Sequence, residues 1–182
     1  MPEAFASAVG GLRDVRLRSE VVLTEVPAPQ RIAPHSLALT ADVVVGDDEL
    51  ATGRFVLLHD PQGQDAWEGT FRVVTFVRAE LEPEMGSDPM LGQVGWTWLG
   101  ESLEGAGATA VAHGGTVTRV VSESYGSLAD RPASVEIEIR ASWTPADADL
   151  RPHLHGWVDL LCTVAGLPPL PPGVAPLPRR AR

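Results

Sequence analysis

The chain has 182 residues, enough for one domain with a sizeable core, and it carries a formal net charge of −10 with 44% apolar residues. All 14 basic residues are arginine, which excludes Schiff-base enzymes, pyridoxal-phosphate enzymes and Walker-type phosphate loops, because each needs a lysine amine. The acidic charge disfavours nucleic acids and anionic membranes, and it favours basic protein segments.

The compartment is predicted from the cysteine count and the N-terminal sequence. Cys162 is the only cysteine, so an internal disulfide cannot form, and a reducing compartment is compatible with that. The first eight residues, MPEAFASA, lack the basic leader and apolar run of a signal peptide. No apolar stretch approaches the roughly 20 residues that cross a bilayer. We therefore expect a cytoplasmic protein with no membrane association.

The first third of the chain predicts one helix followed by three strands. Apolar residues at helical spacing between Phe5 and Leu12 predict a short amphipathic helix over residues 3–14. Alternating, valine-rich segments then predict strands. These strands lie at residues 17–26, 36–45 and 50–59, and the last two are joined by a hairpin turn at Gly46-Asp47-Asp48.

Residues 70–82 allow two interpretations. One set of apolar residues fits the stripe of a helix, and an overlapping set fits one face of a strand with charged residues opposite. The β-branched residues of this segment favour the strand.

The second half predicts two helices and two strands. Asp88 followed by Pro89 is typical of a helix start, and this helix is predicted to run to about Leu103. Strands follow at 108–123 and 133–143, and an apolar stripe from Leu150 to Val164 predicts the last helix.

The order α-β-β-β-β-α-β-β-α predicts an α+β fold, with three helices on a mostly antiparallel sheet of about six strands. This order is similar to that of the secretion-chaperone-like fold, a likeness of topology alone. We predict a single domain over residues 1–166. Residues 167–182 form a proline-rich tail, and its first half is predicted to pack on the domain.

Two polar stretches are candidates for a ligand or partner site. The first, from His59 to Glu68, offers a base or a metal ligand beside carboxylates, and the second is an edge at which Glu80, Glu82 and Glu84 alternate. The candidate residues are His59, Asp60, Asp65, Trp67, Glu68, Arg72, Arg78, Glu80 and Glu82. The alternative interpretation is a connecting loop and a solvated strand face, because Asp-Pro and Gln-Gly form turns.

Other chemistry-bearing residues lack a supporting pattern. His153 and His155 point about 200° apart on a helix, so they do not form a chelating pair. Cys162 lacks an electropositive neighbour in sequence and is interpreted as a buried structural thiol. Trp96 and Trp98 cannot both face the same core, so one of them could be a partner contact. We predict no metal and no cofactor.

Six stretches together resemble an uncharacterised actinobacterial family, number 3000 in the domain-of-unknown-function series. They are PAPQR (27–31), LLHDP (57–61), WEGTFR (67–72), RAELEPEM (78–85), ASWTP (141–145) and GLPPLP (166–171). The resemblance covers nearly the whole chain. It implies a cytosolic, single-domain protein and no assigned activity, so no catalytic residues follow from it.

The leading functional hypothesis is a non-catalytic, acidic protein-binding or chaperone-like module, with a protein partner or a second copy of itself, because the readable catalytic motifs are missing. The alternative is a small-ligand binder or a metal-assisted enzyme that uses the loop from His59 to Glu68 with the edge from Glu80 to Glu84. This alternative requires the two stretches to converge on one concave pocket.

Overall fold

The computed structural model describes residues 1–170 and contains a six-stranded sheet with three helices. The helices are α1 (Glu3–Arg13), α2 (Leu91–Gly105) and α3 (Arg151–Val164). The strands are β1 (Val21–Val26), β2 (His35–Val45), β3 (Asp48–Gln64), β4 (Gly69–Leu81), β5 (Ala110–Ser122) and β6 (Ser134–Pro145). This order confirms the predicted α+β fold.

The sheet is antiparallel throughout, in the order β1-β2-β3-β4-β6-β5. Residues 70–82 fall in strand β4, which settles the ambiguity between helix and strand. β3 runs five residues beyond its predicted end, because the chain stays extended past His59 and Gln64 pairs with Gly69 across the turn at Asp65–Trp67. α2 begins three residues after Asp88, whose carboxylate accepts a hydrogen bond from the Met90 backbone N–H at 2.8 Å.

All three helices contribute to one apolar core against a single face of the sheet, which we call the inner face. Every second strand residue points to this face. Phe55, Val77 and Trp143 are among its fully buried members, and the Trp157 ring of α3 packs against Phe55 with 5.6 Å between ring centroids. The opposite, outer face carries only a small apolar cluster, in which Trp67 packs on Ala38, Val56 and Leu58.

The tryptophans of α2 differ in their surroundings. Trp98 is half-buried and packs against the core, whereas Trp96 is 37% exposed. The Trp96 ring lies over Gly115 of β5, since a Cβ built on that glycine would meet its Cζ3 atom at 2.7 Å. Trp96 therefore contacts β5 at the edge of the sheet with part of its ring, and the rest of the ring is exposed to solvent.

The beginning of the proline-rich tail lies within the described residues. Leu167 packs against the core, and the Pro168 carbonyl accepts a hydrogen bond from Arg18 Nη1 at 2.9 Å. The rest of the predicted tail, from residue 171 onwards, lies outside the described residues.

Two fully buried tryptophans give a matched prediction about stability. The indole N–H of Trp143 donates to His153 Nδ1 at 2.9 Å, whereas the indole N–H of Trp157 has no hydrogen-bond partner among residues 1–170. Trp143→Phe leaves a buried acceptor unpaired, but Trp157→Phe removes a donor that was already unpaired. We expect Trp143→Phe to lower the free energy of unfolding by about 1–3 kcal/mol more than Trp157→Phe, measured by urea denaturation at pH 7. Equal losses would show that the Trp143–His153 hydrogen bond contributes nothing.

Candidate functional site

His59, the first candidate from the sequence, belongs to the core. It is 3% exposed and points to the inner face, where its ring lies 4.1 Å from the ring of Phe71 between centroids. Phe5 of α1 and His35 also pack near it. His59 Nδ1 lies 2.9 Å from the Thr70 carbonyl oxygen, so a backbone group already occupies this ring nitrogen. These contacts are those of a structural histidine.

The other residues of the first stretch form the tip of the β3–β4 hairpin. The Asp60 carboxylate accepts hydrogen bonds from the Gln62 backbone N–H at 3.1 Å and from Gln64 Nε2 at 3.3 Å. Asp65 begins the 3₁₀ turn that Trp67 ends, and Glu68 then takes a left-handed backbone conformation with φ of 56°. Asp60 thus stabilises the extended hairpin tip, and Trp67 covers the adjoining part of the outer face.

The charged candidates on β4 lie along the outer face. Arg72 donates to Thr144 Oγ1 at 3.0 Å and to Ser142 Oγ at 2.9 Å, and burial lowers the pKa of its guanidinium. Arg78 and Glu80 follow on the same face, six and eight residues further along the strand. In the ladder with β6, Arg78 stands opposite Glu138 and Glu80 stands opposite Glu136.

The two predicted stretches lie at opposite ends of β4. His59 pairs with Phe71 near the start of the strand, and Glu82 directly follows its end. Ten residues separate Phe71 from Glu82, which in extended chain is a distance of about 36 Å. The structure therefore does not bring His59 and its neighbours together with the acidic edge.

The structure instead shows a concavity of about 510 Å³ in the middle of the outer face. The concavity is formed by two adjoining rows of residues that run across the strands. One row contains Val56, Val74, Ser142 and Gly114, and the other contains Arg54, Phe76, Arg140 and Thr116. The floor is thus apolar and aromatic, with an arginine on either side of Phe76.

The two arginines of the concavity are both exposed to solvent. The Arg140 guanidinium carbon lies 4.7 Å from the centre of the Phe76 ring, a cation–π arrangement. Arg140 Nη1 also donates to the Glu138 carboxylate at 2.9 Å. Arg54 has no carboxylate partner among residues 1–170, and its hydrogen bond to the Pro27 carbonyl is long, at 3.5 Å. Both guanidinium groups retain donors for an anion.

Sequence reasoning missed this concavity, although β4 contained a signal. Val74 and Phe76 lie between Arg72 and Arg78 at every second position, so two apolar residues share the face of the strand that carries the arginines. Val74 is 39% exposed. Apolar side chains on the charged face of a strand indicate a second contact surface. The contributions of Arg54 and Arg140 depend on pairing across strands that are distant in sequence.

Other side chains that could act as a nucleophile or a base are buried or already hydrogen-bonded within the protein. Cys162 is buried, and its burial raises the pKa of the thiol to about 11. His153 is buried, and its Nδ1 accepts the Trp143 N–H. Within residues 1–170, no group of three or more His, Cys, Asp or Glu side chains is arranged to hold a metal ion.

In that same part of the chain, no helix is both long and apolar enough to span a membrane.

A family model described as a protein of unknown function, DUF3000, matches residues 1–175. No curated protein and no solved structure matches the chain.

Proposed function

The chain belongs to the DUF3000 family, whose description gives no function, and we propose that it is a non-catalytic binding protein for a small organic anion with a flat apolar body. The observation that carries this proposal is the pair of arginines on either side of Phe76, in a concavity of about 510 Å³. That volume falls within the range of small-molecule sites, roughly 300–1,000 Å³.

The chemistry of the concavity matches both parts of such a ligand. Val56, Val74 and Phe76 give an apolar floor on which a ring or a short aliphatic body loses contact with water. Arg54 and Arg140 present planar forks of N–H donors that fit a carboxylate, a sulfonate or a phosphate. The formal charge of the chain is −10, so this cationic patch opposes the sign of the whole protein, and an anion is expected to bind here rather than elsewhere on the surface.

Glu138 tunes the proposed site. Its carboxylate is paired with Arg140, so an incoming anion must share this guanidinium with it. An exposed ion pair of this kind contributes only about 0–1 kcal/mol, so an anion can replace Glu138 as the partner of Arg140 at little cost in free energy. A small anion thus replaces the protein partner that the sequence favoured as the ligand, and the protein is still expected to be non-catalytic.

We expect anilinonaphthalene sulfonate, which joins a sulfonate to fused aromatic rings, to bind with one molecule per chain. Arg140→Gln and Arg54→Gln should each weaken binding by about 10- to 100-fold, since a hydrogen bond to a charged group contributes about 1.5–3 kcal/mol. Glu138→Gln should strengthen binding several-fold, because it frees Arg140 and removes a negative charge. Fluorescence titration at constant ionic strength measures these affinities.

Two controls separate this site from general dye binding. Arg13→Gln removes another exposed arginine that is paired with a glutamate, Glu25, away from the concavity, and it should leave the affinity unchanged. Phenylnaphthylamine, a neutral relative of the probe, should bind more weakly and respond little to Arg140→Gln. Equal affinities for the Arg13, Arg54 and Arg140 variants would contradict the proposal.

A further inference from the structure

β5 is an edge strand that lacks the usual protection along most of its length. Among residues 1–170 it pairs only with β6, and it is last in the sheet order. A bulge between Val111 and Gly114, with Ala112 in the left-handed region at φ of 53°, interrupts its first part. The nine residues from Gly114 to Ser122 then run without a bulge, a proline or an acid, and their one charged side chain, Arg119, donates to the Gly86 and Asp88 carbonyls of the same chain. Edges are usually blunted by such features, because free backbone groups recruit another strand.

The register shows which backbone groups of β5 face outward. In an antiparallel ladder, hydrogen-bonded pairs alternate with pairs whose N–H and C=O groups point away from the partner strand. The Ala146 N–H donates to the Thr109 carbonyl at 2.8 Å, so the even-numbered residues of β6 bond to β5. Their partners after the bulge are Gly114, Thr116, Thr118, Val120 and Ser122. Among residues 1–170, the N–H and C=O groups without a strand partner therefore belong to Gly115, Val117, Arg119 and Val121.

Exposed apolar side chains are concentrated beside this edge. Of the 11 large hydrophobic residues that are exposed within residues 1–170, six lie on β5, in the loop after it, or on and just before α2. These six are Met90, Trp96, Val111, Val121, Tyr125 and Leu128. The opposite edge, β1, has only six residues and carries an exposed ion pair between Glu25 and Arg13. Of the two sheet edges, β5 is thus the one whose surroundings favour contact with another protein chain.

We infer that a second copy of this chain pairs with β5 in an antiparallel fashion, with the two-fold axis at Thr118. This register pairs the whole unbulged segment with itself, because Thr118 is the middle of residues 114–122. It places Val121 of the second copy opposite Gly115, where the exposed Trp96 ring lies. An axis at Arg119 would instead set two arginines opposite each other.

The resulting dimer would join two six-stranded sheets into one continuous sheet. The axis would run perpendicular to the sheet, so both outer faces would lie on the same side. Gly114 and Thr116 line the anion concavity and belong to the pairing segment, which places the two concavities on either side of the axis. The interface does not depend on what the concavity binds.

Thr118→Cys in the full chain tests the register directly. At the axis, the introduced thiol of each copy would face its equivalent with Cβ atoms about 4.5–5.5 Å apart, so mild oxidation should give a disulfide-linked dimer on a non-reducing gel. Thr116→Cys is the matched control, because its equivalents would lie about 13 Å apart along the strands and should not cross-link. The native Cys162 is buried and should not compete.

Light scattering of the unmodified chain should give twice its 19.3 kDa mass. Thr118→Lys, which sets two ammonium groups together at the axis, should give a folded monomer with the circular dichroism spectrum of the parent and a lower melting temperature, because the dimer no longer stabilises the folded state. Thr24→Lys, on the exposed edge strand β1, should remain dimeric. A monomeric parent chain across a concentration series, or equal cross-linking at positions 116 and 118, would overturn the inference.

Discussion

Replacing Gly53 by alanine is expected to lower the free energy of unfolding by about 3 kcal/mol, at the upper end of the usual cost of overpacking. Gly53 lies in the first half of β3, where α3 crosses the sheet. An added Cβ would lie 2.5 Å from the Phe76 carbonyl oxygen, 2.8 Å from Trp157 Cζ2 and 3.1 Å from Leu161 Cδ2. One of these is a backbone atom of the neighbouring strand and another belongs to a fully buried ring, so neither can move aside cheaply.

A second glycine provides the control for that substitution. Gly100 lies in the interior of α2, and an added Cβ there would meet no atom within 4 Å. Because alanine favours the helix by about 1 kcal/mol over glycine, Gly100→Ala should stabilise the protein by up to that amount. Urea denaturation of both variants measures the difference. Similar effects for the two variants would mean that α3 does not press on the sheet at Gly53.

Acidification from pH 7 to pH 4 is expected to cost about 3 kcal/mol of stability through His153 alone. Burial is the main cause that lowers the pKa of this imidazole from 6.5 to about 4, and the nearby Asp147 and Asp149 only partly oppose it. The neutral ring accepts the indole N–H of Trp143 through Nδ1. Protonation would turn that acceptor into a donor and place a charge in the core.

Stability falls on acidification because the unfolded chain binds the proton of this histidine more readily than the folded chain does. Below pH 6.5 the unfolded chain protonates this histidine and the folded chain does not, so falling pH favours unfolding until about pH 4, below which both states are protonated. Above pH 6.5 the histidine is neutral in both states, so it does not reduce the free energy of unfolding there. The Asp149 carboxylate has a pKa of about 2 because of Arg151, so its own contribution is lost at lower pH.

His153→Gln isolates this effect. The amide oxygen of glutamine can accept the Trp143 N–H, but it does not titrate. We expect the variant to be less stable at pH 7, and its stability should fall less steeply than that of the parent between pH 6.5 and pH 4, as measured by urea denaturation at several pH values. Parallel pH profiles for the two proteins would contradict the assignment.

Most of the fold could be predicted from the sequence because the patterns are local. Alternation between inward and outward residues marked the strands, and the stripe from Leu150 to Val164 marked α3. The extension of β3 was missed because residues 60–64 are polar and rich in turn formers, whereas their extended conformation depends on pairing with β4 and on the Asp60 contacts.

The candidate site was harder to predict because it depends on the face and the register of the strands. Alternation indicates that His59 and Asp60 point to opposite faces, but it does not tell which face the helices cover. His59 proved to be inside, next to Phe5 of α1. Arg54, Phe76 and Arg140 are separated by 22 and 64 residues in sequence (76 − 54 and 140 − 76), and only the antiparallel register aligns them.

We propose that Arg54 and Arg140 hold an anion above Phe76 on the outer face. Nuclear magnetic resonance tests this directly by following the Nε–Hε signals of the arginines during titration with anilinonaphthalene sulfonate. We predict that the signals of Arg54 and Arg140 shift together and saturate with one probe per chain, whereas those of Arg13 and Arg18 stay in place. Saturating shifts of other signals, with those of Arg54 and Arg140 unmoved, would show that the anion binds outside the concavity.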